Sequence, residues 1–527
     1  MSETSPLLSS SSPNSHILSV HHDHVHTKRL LNSRHISMIS IGGIIGTGLF
    51  LGVRNALVNG PIISLLSYAY IAVICYTVIQ SVGEMSCYMP INGSVCQFQF
   101  KFLSNSVGLA INIIYWLSWS ITLALELSLI YSVLSFWSNA LPFVNDGNQL
   151  WIIFGVWLVL TSFNLLPVNF YGEIEFVISI LKISFITCWI VLSTYILTKN
   201  GIGFKYWSKD LLWGVDTLHV VKNRVGSKIL NVMASLVSSC FTFQSIESIA
   251  ICSGEIRDAH INLPKAIKYV LVRIVVFYIT TLFLLTLLIP CNDTRLTSGD
   301  DDIFSSPFLI GLINCGIGAS SFILSIFNFV ILVSMVSAAN SNIYFGSRCL
   351  VSMVEEEYMP KFLGKTNTKG VPQMAILLTS SIGLISLFSR VETISVLFNL
   401  LVNVCATSGL IMWLFIMVSY LRFLETLKFN KLDYSTLVFR SNHPRLLKFL
   451  NYVSIVSICA IIVGNGVLNI WRFDWNNFLS CYLTSIILVV SSLSLSWYWN
   501  EPLLVDIETI DIFTEQSPFA FEKRQVV

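Results

Sequence analysis

Three ionisable side chains lie deep within stretches that are otherwise apolar: Glu126, Lys182 and Glu247. Charge inside a bilayer core is costly and usually marks a pathway for a substrate or a proton. A lone lysine there can take up and release a proton. It can also be held permanently by a carboxylate, or reach for the interface with its long stem. Lys182 is the one basic residue well inside an apolar stretch; every other Lys or Arg falls in a tail, a loop or at a stretch end. Further acids sit at the margins: Glu84 ends the second stretch, and Glu173 and Glu175 begin the fifth.

A second kind of chemistry is offered by backbone. Ile36 to Gly52 is long enough to begin a bilayer-spanning helix, yet Gly42, Gly43, Gly46 and Gly48 crowd its middle. Glycine costs roughly 0.5–1 kcal/mol against alanine in a helix interior. In lipid an unpaired amide costs several kcal/mol, so a helix that breaks there does so for a reason. A break exposes amide N–H groups and a positive dipole end that can bind a carboxylate. The other reading is close helix–helix packing through small residues. Glu247 lies in a second such place, among Ser238, Ser239, Gln244, Ser245 and Ser248. Hydroxyls and amides re-satisfy backbone groups where a spanning helix unwinds. This stretch comes five spans after the first, as two halves of an inverted repeat require.

The elements that must position these groups are helices in a bilayer. Of the 527 residues 54% are hydrophobic and 11% charged, against about 25% charged in soluble domains. Apolar runs recur near 36–57, 61–84, 107–136, 150–168, 174–197, 230–254, 270–290, 308–340, 374–390, 393–421, 449–470 and 476–499. Each is about the 20 residues that cross a bilayer core. The spacing predicts an all-α membrane protein with about 12 transmembrane helices, broken in the first and sixth. The expected division is a polar, Ser-rich disordered tail over 1–35, a transmembrane domain over 36–500 and a short tail over 501–527. The net charge of +2 gives no sign of nucleic acid. The twelve cysteines lack paired metal-ligand spacing, so neither a metal nor another cofactor is expected. No nucleophile–base pairing stands in a polar loop, which argues against an enzyme.

Orientation follows from the basic residues. An even number of spans puts both tails on one side. Tails in the cytosol place Arg257, Lys265, Lys268 and Arg273 there, with Arg348, Lys361, Lys365, Lys369 and the run from Arg422 to Lys448. The far side then holds Asp293, Asp300, Asp301 and Asp302, and Asn292 as a glycan acceptor. The loop from Lys199 to Lys228, with six basic residues, runs against this orientation. In the first tail, Glu3, Leu7 and Leu8 have the form of an acidic dileucine sorting signal read by an adaptor. His21, His22, His24 and His26 form a cluster that is either a pH or metal sensor or plain solvated tail.

In order along the chain, Arg34-His35-Ile36, the run Gly42 to Phe50, Gly60-Pro61, Gly83-Glu84-Met85 and Pro90 to Ser94 resemble the fungal amino-acid permeases of the amino acid–polyamine–organocation superfamily. The match continues through Glu126, Tyr171 to Phe176, Lys182, Gly203 to Trp207, Ser306-Pro307-Phe308, Ser337 to Ser341, Ser347-Arg348 and Gly370 to Pro372. The last four spans match in pattern only. The resemblance implies a five-plus-five inverted repeat with two accessory helices. It implies a zwitterionic amino acid at the midplane, its carboxylate on the amides of Ile45, Gly46, Thr47 and Gly48. Its ammonium would meet carbonyls of both unwound segments near Phe241, Thr242 and Phe243, with Ser245 beside them. Phe241 aligns with an aromatic gate, Glu247 with a glutamate linked to pH response, and Lys182 with a lysine whose charge replaces a sodium ion. Glu126 joins them as a proton-coupling candidate.

Two positions depart from that pattern. Relatives usually have glycine where this chain has Ser245, and a small or polar residue where it has Ile246. The serine narrows the unwound turn, and the isoleucine is expected to shrink the pocket or regularise the helix. The resemblance points to a proton-coupled amino-acid transporter; the alternative is a non-transporting amino-acid sensor of the same fold. No acidic cluster faces the expected pocket beyond Glu126 and Glu247, so neutral amino acids are the expected substrates. The dileucine signal, the single Lys28 of the first tail and the absence of a Phe-Trp-Cys ending lean toward the vacuolar over the plasma membrane.

Overall fold

The computed structural model describes residues 31–145, 147–201, 203–207, 212–214, 224–297, 306–316, 322–388, 393–466 and 475–521. The expected sorting signal at Glu3, Leu7 and Leu8, the histidine cluster, and Asp300, Asp301 and Asp302 lie outside the described residues. So do residues 202, 208–211 and 215–223 of the Lys199 to Lys228 loop.

The chain is a bundle of helices. In order they are α1 (Ser33–Ile44), α2 (Val53–Leu57), α3 (Pro61–Tyr88), α4 (Ser94–Phe102), α5 (Asn105–Leu134) and α6 (Gln149–Asn164). Then come α7 (Val168–Asn200), α8 (Arg224–Phe243), α9 (Ser248–Ile251), α10 (Ala259–Leu288) and α11 (Thr294–Thr297). The remainder are α12 (Pro307–Asn314), α13 (Phe322–Glu355), α14 (Lys361–Gly364), α15 (Gln373–Ile382), α16 (Thr393–Phe429), α17 (Pro444–Gly464) and α18 (Trp475–Trp499). Among the described residues, eight helices are long and apolar enough to cross a membrane. Gln149–Asn164, Val275–Leu288 and Gln373–Phe388 are shorter apolar helices. With the broken first rod these make up the twelve expected spans.

Local sequence explains where the rods start. Pro61, Pro307 and Pro444 occupy first-turn positions, where the missing N–H costs nothing. Ser104 caps α5 by accepting from the Val107 amide at 3.2 Å. One expected boundary is wrong. The eighth run, 308–340, is two elements: α12 stops at Asn314 and α13 starts afresh at Phe322, running on to Glu355. Apolar composition continues across both, so hydropathy alone could not separate them. α4 falls between the second and third apolar runs, and its buried Gln97 and Gln99 interrupt its apolar character.

α5 and α13 pack along each other, with α4, α6 and α15 against both, α16 against α5, and α1 and α7 against α13; α3 packs in turn on α8, α10 and α16. Beyond α18 the chain does not drift away. Residues 501–521 lie against the end of the bundle. Val505 donates to the Leu103 carbonyl at 2.6 Å and Ser517 to that of Tyr88 at 2.8 Å. Ile512 is fully buried there.

Candidate binding site at two helix breaks

Two helices break at the same depth. α1 stops at Ile44, the chain bends over Ile45 and Gly46, and one π-helical turn, Gly48–Gly52, leads into α2. α8 stops at Phe243, and a turn over 244–247 precedes α9. Within that turn Ser245 has φ +77°. This is the left-handed region, which a side chain makes costly. The position where the resemblance expects glycine is therefore one whose geometry suits glycine. Ile246 is fully buried in the apolar core and away from the cleft. It neither regularises the helix nor fills the pocket, contrary to expectation.

The breaks are fastened together. Thr242 Oγ1 lies 3.2 Å from the Gly48 carbonyl and 3.0 Å from that of Ser238. The Tyr68 hydroxyl meets Thr242 Oγ1 at 2.9 Å, and Ser238 donates to the Gly52 carbonyl at 3.0 Å. The approach is close enough to require glycine. A Cβ on Gly48 would stand 3.0 Å from Thr242 Cα, and one on Gly46 would stand 2.8 Å from Ala338 Cβ. The glycine cluster thus does both things open to it: the helix breaks, and its neighbours come within backbone contact.

A cleft opens beside the breaks. Its wall is formed by Gly43, Gly46, Thr47 and Gly48 of the first, and by Phe241, Thr242, Gln244 and Ser245 of the second. α5 contributes Ser118, Trp119, Thr122 and Glu126, and α13 contributes Ala338 and Asn342. Thr47 donates its hydroxyl to Glu126 Oε1. Glu126 Oε2 is buried without a hydrogen-bond partner among the described residues, as are Trp119 Nε1 and Asn342 Nδ2. An unmet buried donor or acceptor costs about 1–3 kcal/mol. All three residues line the cleft.

The other predicted residues lie around this cleft. The side chains of Ile45 and Phe243 face the core; Phe243 packs on Tyr68 and Tyr278 with ring centroids 5.6 and 4.9 Å away. Glu247 is fully buried and held by the Tyr115 hydroxyl at 2.5 Å and Trp413 Nε1 at 2.8 Å. It does not line the cleft. Lys182 does not line the cleft and lies against α1. Its ammonium donates to the Gly42 carbonyl at 2.6 Å and to Ser337 Oγ at 2.9 Å. Ser337 donates in turn to Glu175 Oε2 at 2.7 Å. Asn340 joins Glu175 Oε1 at 3.4 Å and accepts from Asn164 Nδ2 at 2.7 Å.

Sequence reasoning missed Glu175, Trp119 and Asn342. Glu175 stands seven residues before Lys182, two turns along one helix face, a spacing that pairs them. Trp119 stands seven before Glu126 on α5 in the same way. Asn342 carried no such mark.

Comparison with known proteins places the chain. A family model described as amino acid permease matches residues 35–508. A lysine/arginine permease of Candida albicans is 38% identical over 469 residues, covering 88% of this chain and 79% of that protein. A lysine-specific permease of Saccharomyces cerevisiae is 34% identical over 501 residues, covering 94% and 80%. The lysine-specific permease LysP of Lactococcus lactis is 30% identical over 491 residues, covering 92% of each. The crystal structure of MhsT in complex with L-phenylalanine superposes with a TM-score of 0.60 at 13% identity, over 83% of this chain and 99% of that one. At that identity the likeness speaks to architecture, the LeuT-like fold of broken helices. From sequence and fold together, this multi-pass membrane protein belongs to the amino acid permease family.

Proposed function

We propose that the chain carries cationic amino acids across its membrane, holding each in the cleft between the two helix breaks. The observation that carries this reading is Glu126. One oxygen of its carboxylate is fixed by Thr47, and the other is unpartnered, buried and on the cleft wall. An ammonium or guanidinium satisfies it. The amides at Gly46, Thr47 and Gly48 suit the substrate carboxylate. The sequence finds no acidic cluster at the pocket beyond Glu126 and Glu247 and so favours neutral substrates; Glu247 is held elsewhere, by Tyr115 and Trp413, and it is the unpartnered oxygen of Glu126 that turns the reading toward a cation. The lysine and arginine named for the relatives support the cationic reading.

Coupling to protons runs through Lys182, whose ammonium touches the backbone of the first break, with Glu175 as its carboxylate partner through Ser337. Both tails face the cytosol in this reading, and Glu3, Leu7 and Leu8 direct the protein to the vacuole.

Purified protein in liposomes, given labelled lysine, arginine and leucine with and without a pH step, tests the whole. The expected result is saturable lysine and arginine uptake that the pH step increases, lost in Glu126→Gln. Equal uptake of all three, unchanged by Glu126→Gln, overturns the cationic site. A pH response that persists in Lys182→Met overturns the coupling. Fluorescent tagging with and without Leu7→Ala and Leu8→Ala tests the destination.

A further inference from the structure

The polar atoms on the cleft wall divide into those already satisfied and those that are not. Ser118 donates to the Cys405 carbonyl at 3.4 Å, Thr122 to the Ser118 carbonyl at 2.7 Å, and Gln244 to the Cys405 carbonyl at 3.0 Å. These groups are occupied with holding the wall. Besides Glu126 Oε2, two buried atoms stand unpartnered there among the described residues: Trp119 Nε1 and Asn342 Nδ2. Trp119 is 6% exposed and Asn342 5%.

The indole cannot turn freely toward another partner. Its ring packs against Tyr115 at 5.6 Å and Phe345 at 5.2 Å between centroids. An indole nitrogen only donates, and so does an amide nitrogen. Neither can satisfy an ammonium or a guanidinium, which are donors too. Both call for an oxygen. On α5, Trp119 lies seven residues from Glu126, about 10 Å along the axis at 1.5 Å per residue. The wall therefore offers one unmet acceptor, on Glu126, and two unmet donors, on Trp119 and Asn342.

We propose that Trp119 Nε1 and Asn342 Nδ2 bind an oxygen of the transported amino acid and thereby set which amino acids the cleft selects. This rests on the cleft being the substrate site, as argued above. The oxygen has two sources, the α-carboxylate or a carbonyl at the side-chain end, and both offer the same acceptor chemistry. In either case the pair disfavours a ligand that brings only donors or methylenes to those two groups.

The test is competition against labelled-lysine uptake in liposomes by four unlabelled compounds: lysine, cadaverine, citrulline and norleucine. Cadaverine lacks the carboxylate of lysine; norleucine lacks the side-chain carbonyl of citrulline. The unaltered protein is compared with Trp119→Phe, which keeps the ring and removes the N–H, and with Asn342→Leu. Ratios within one protein do not depend on how much of it folds. The lysine-to-cadaverine ratio falling about tenfold in both variants identifies the carboxylate as the bound oxygen. The citrulline-to-norleucine ratio falling about tenfold identifies the side chain. Both ratios unchanged in both variants overturns the proposal and leaves the transport reading standing. No saturable uptake by the unaltered protein defeats the transport reading instead. If a variant takes up no lysine, ligand-induced shifts in its melting temperature with the same four compounds supply the ratios.

Discussion

Lys182 donates to the carbonyl oxygen of Gly42 at 2.6 Å, two residues before α1 stops. The last four carbonyls of a helix have no partner inside it, and Gly42 is one of them. A cation at that end also faces the negative pole of the half-helix. The isolated lysine and the glycine cluster are thus two halves of one device. Breaking the helix creates an orphan acceptor in a place without water, and Lys182 answers it.

This pairing makes a prediction for stability. Ser337 links Lys182 to Glu175 through bonds of 2.9 and 2.7 Å, and both ionisable groups are fully buried. Removing one partner of a buried pair leaves the other uncompensated, at about 3–5 kcal/mol. Lys182→Met and Glu175→Gln should each lower the melting temperature in detergent. The double variant should lose at least about 1 kcal/mol less than the two single losses together, the mark of coupled sites. Strictly additive losses would show that the serine does not join them.

Much of this was legible in the sequence, for a physical reason. A bilayer tolerates charge and helix breaks only where something uses them, so Lys182, Glu126 and Gly42 to Gly48 stood out against an apolar background. Direction was not legible. Glu247 was as isolated in sequence as Glu126, yet it faces Tyr115 and Trp413, and nothing in its spacing told which way it turns. Nor was the contribution of Asn342, since polar residues are common on α13 and only the packing shows which one faces the cleft. Apolar composition likewise hid the gap between α12 and α13.

Gly48 should be intolerant of a single methyl group. A Cβ there would meet Thr242 Cα at 3.0 Å and the Thr242 carbonyl oxygen at 3.2 Å, both backbone atoms that cannot swing aside. Gly48→Ala is expected to cut uptake at least about tenfold by prising the two breaks apart. Gly155→Ala in α6, where a Cβ meets nothing within 4 Å, is the control and should transport normally. Similar activity in both variants would mean the breaks need not touch.

Ser245 should be improved by glycine. A side chain in the left-handed region costs roughly 1–2 kcal/mol. Glycine gives back about 0.5–1 kcal/mol through the greater freedom of the unfolded chain. Ser245→Gly should therefore raise stability by up to about 1 kcal/mol at φ +77°. Ser245→Val, with a branched side chain in the same conformation, should lower it. Thermal melts of the two variants opposite in sign to these expectations would show that the turn relaxes around whichever residue it holds.

The segment after α18 should behave as part of the folded protein. It meets several elements: Leu103 at the end of α4, Tyr88 at the end of α3, and Val438 in the α16–α17 connection, whose amide donates to the Ala520 carbonyl at 3.0 Å. Phe519 stacks on His260 of α10 at 4.1 Å, and Lys101 pairs with Glu515. The ion pair, still open to solvent at its Glu515 side, contributes at most about 1 kcal/mol. Each main-chain bond contributes about 0.5–1.5 kcal/mol, and burying Ile512 adds about 1.5–3 kcal/mol. A chain ending at residue 500 should therefore melt several degrees lower than the full chain in the same detergent. Ile512→Asn in the full-length protein should reproduce part of that loss, because it places an amide where no partner waits. A truncated chain that melts within about one degree of the full one would mean these contacts are not held in solution.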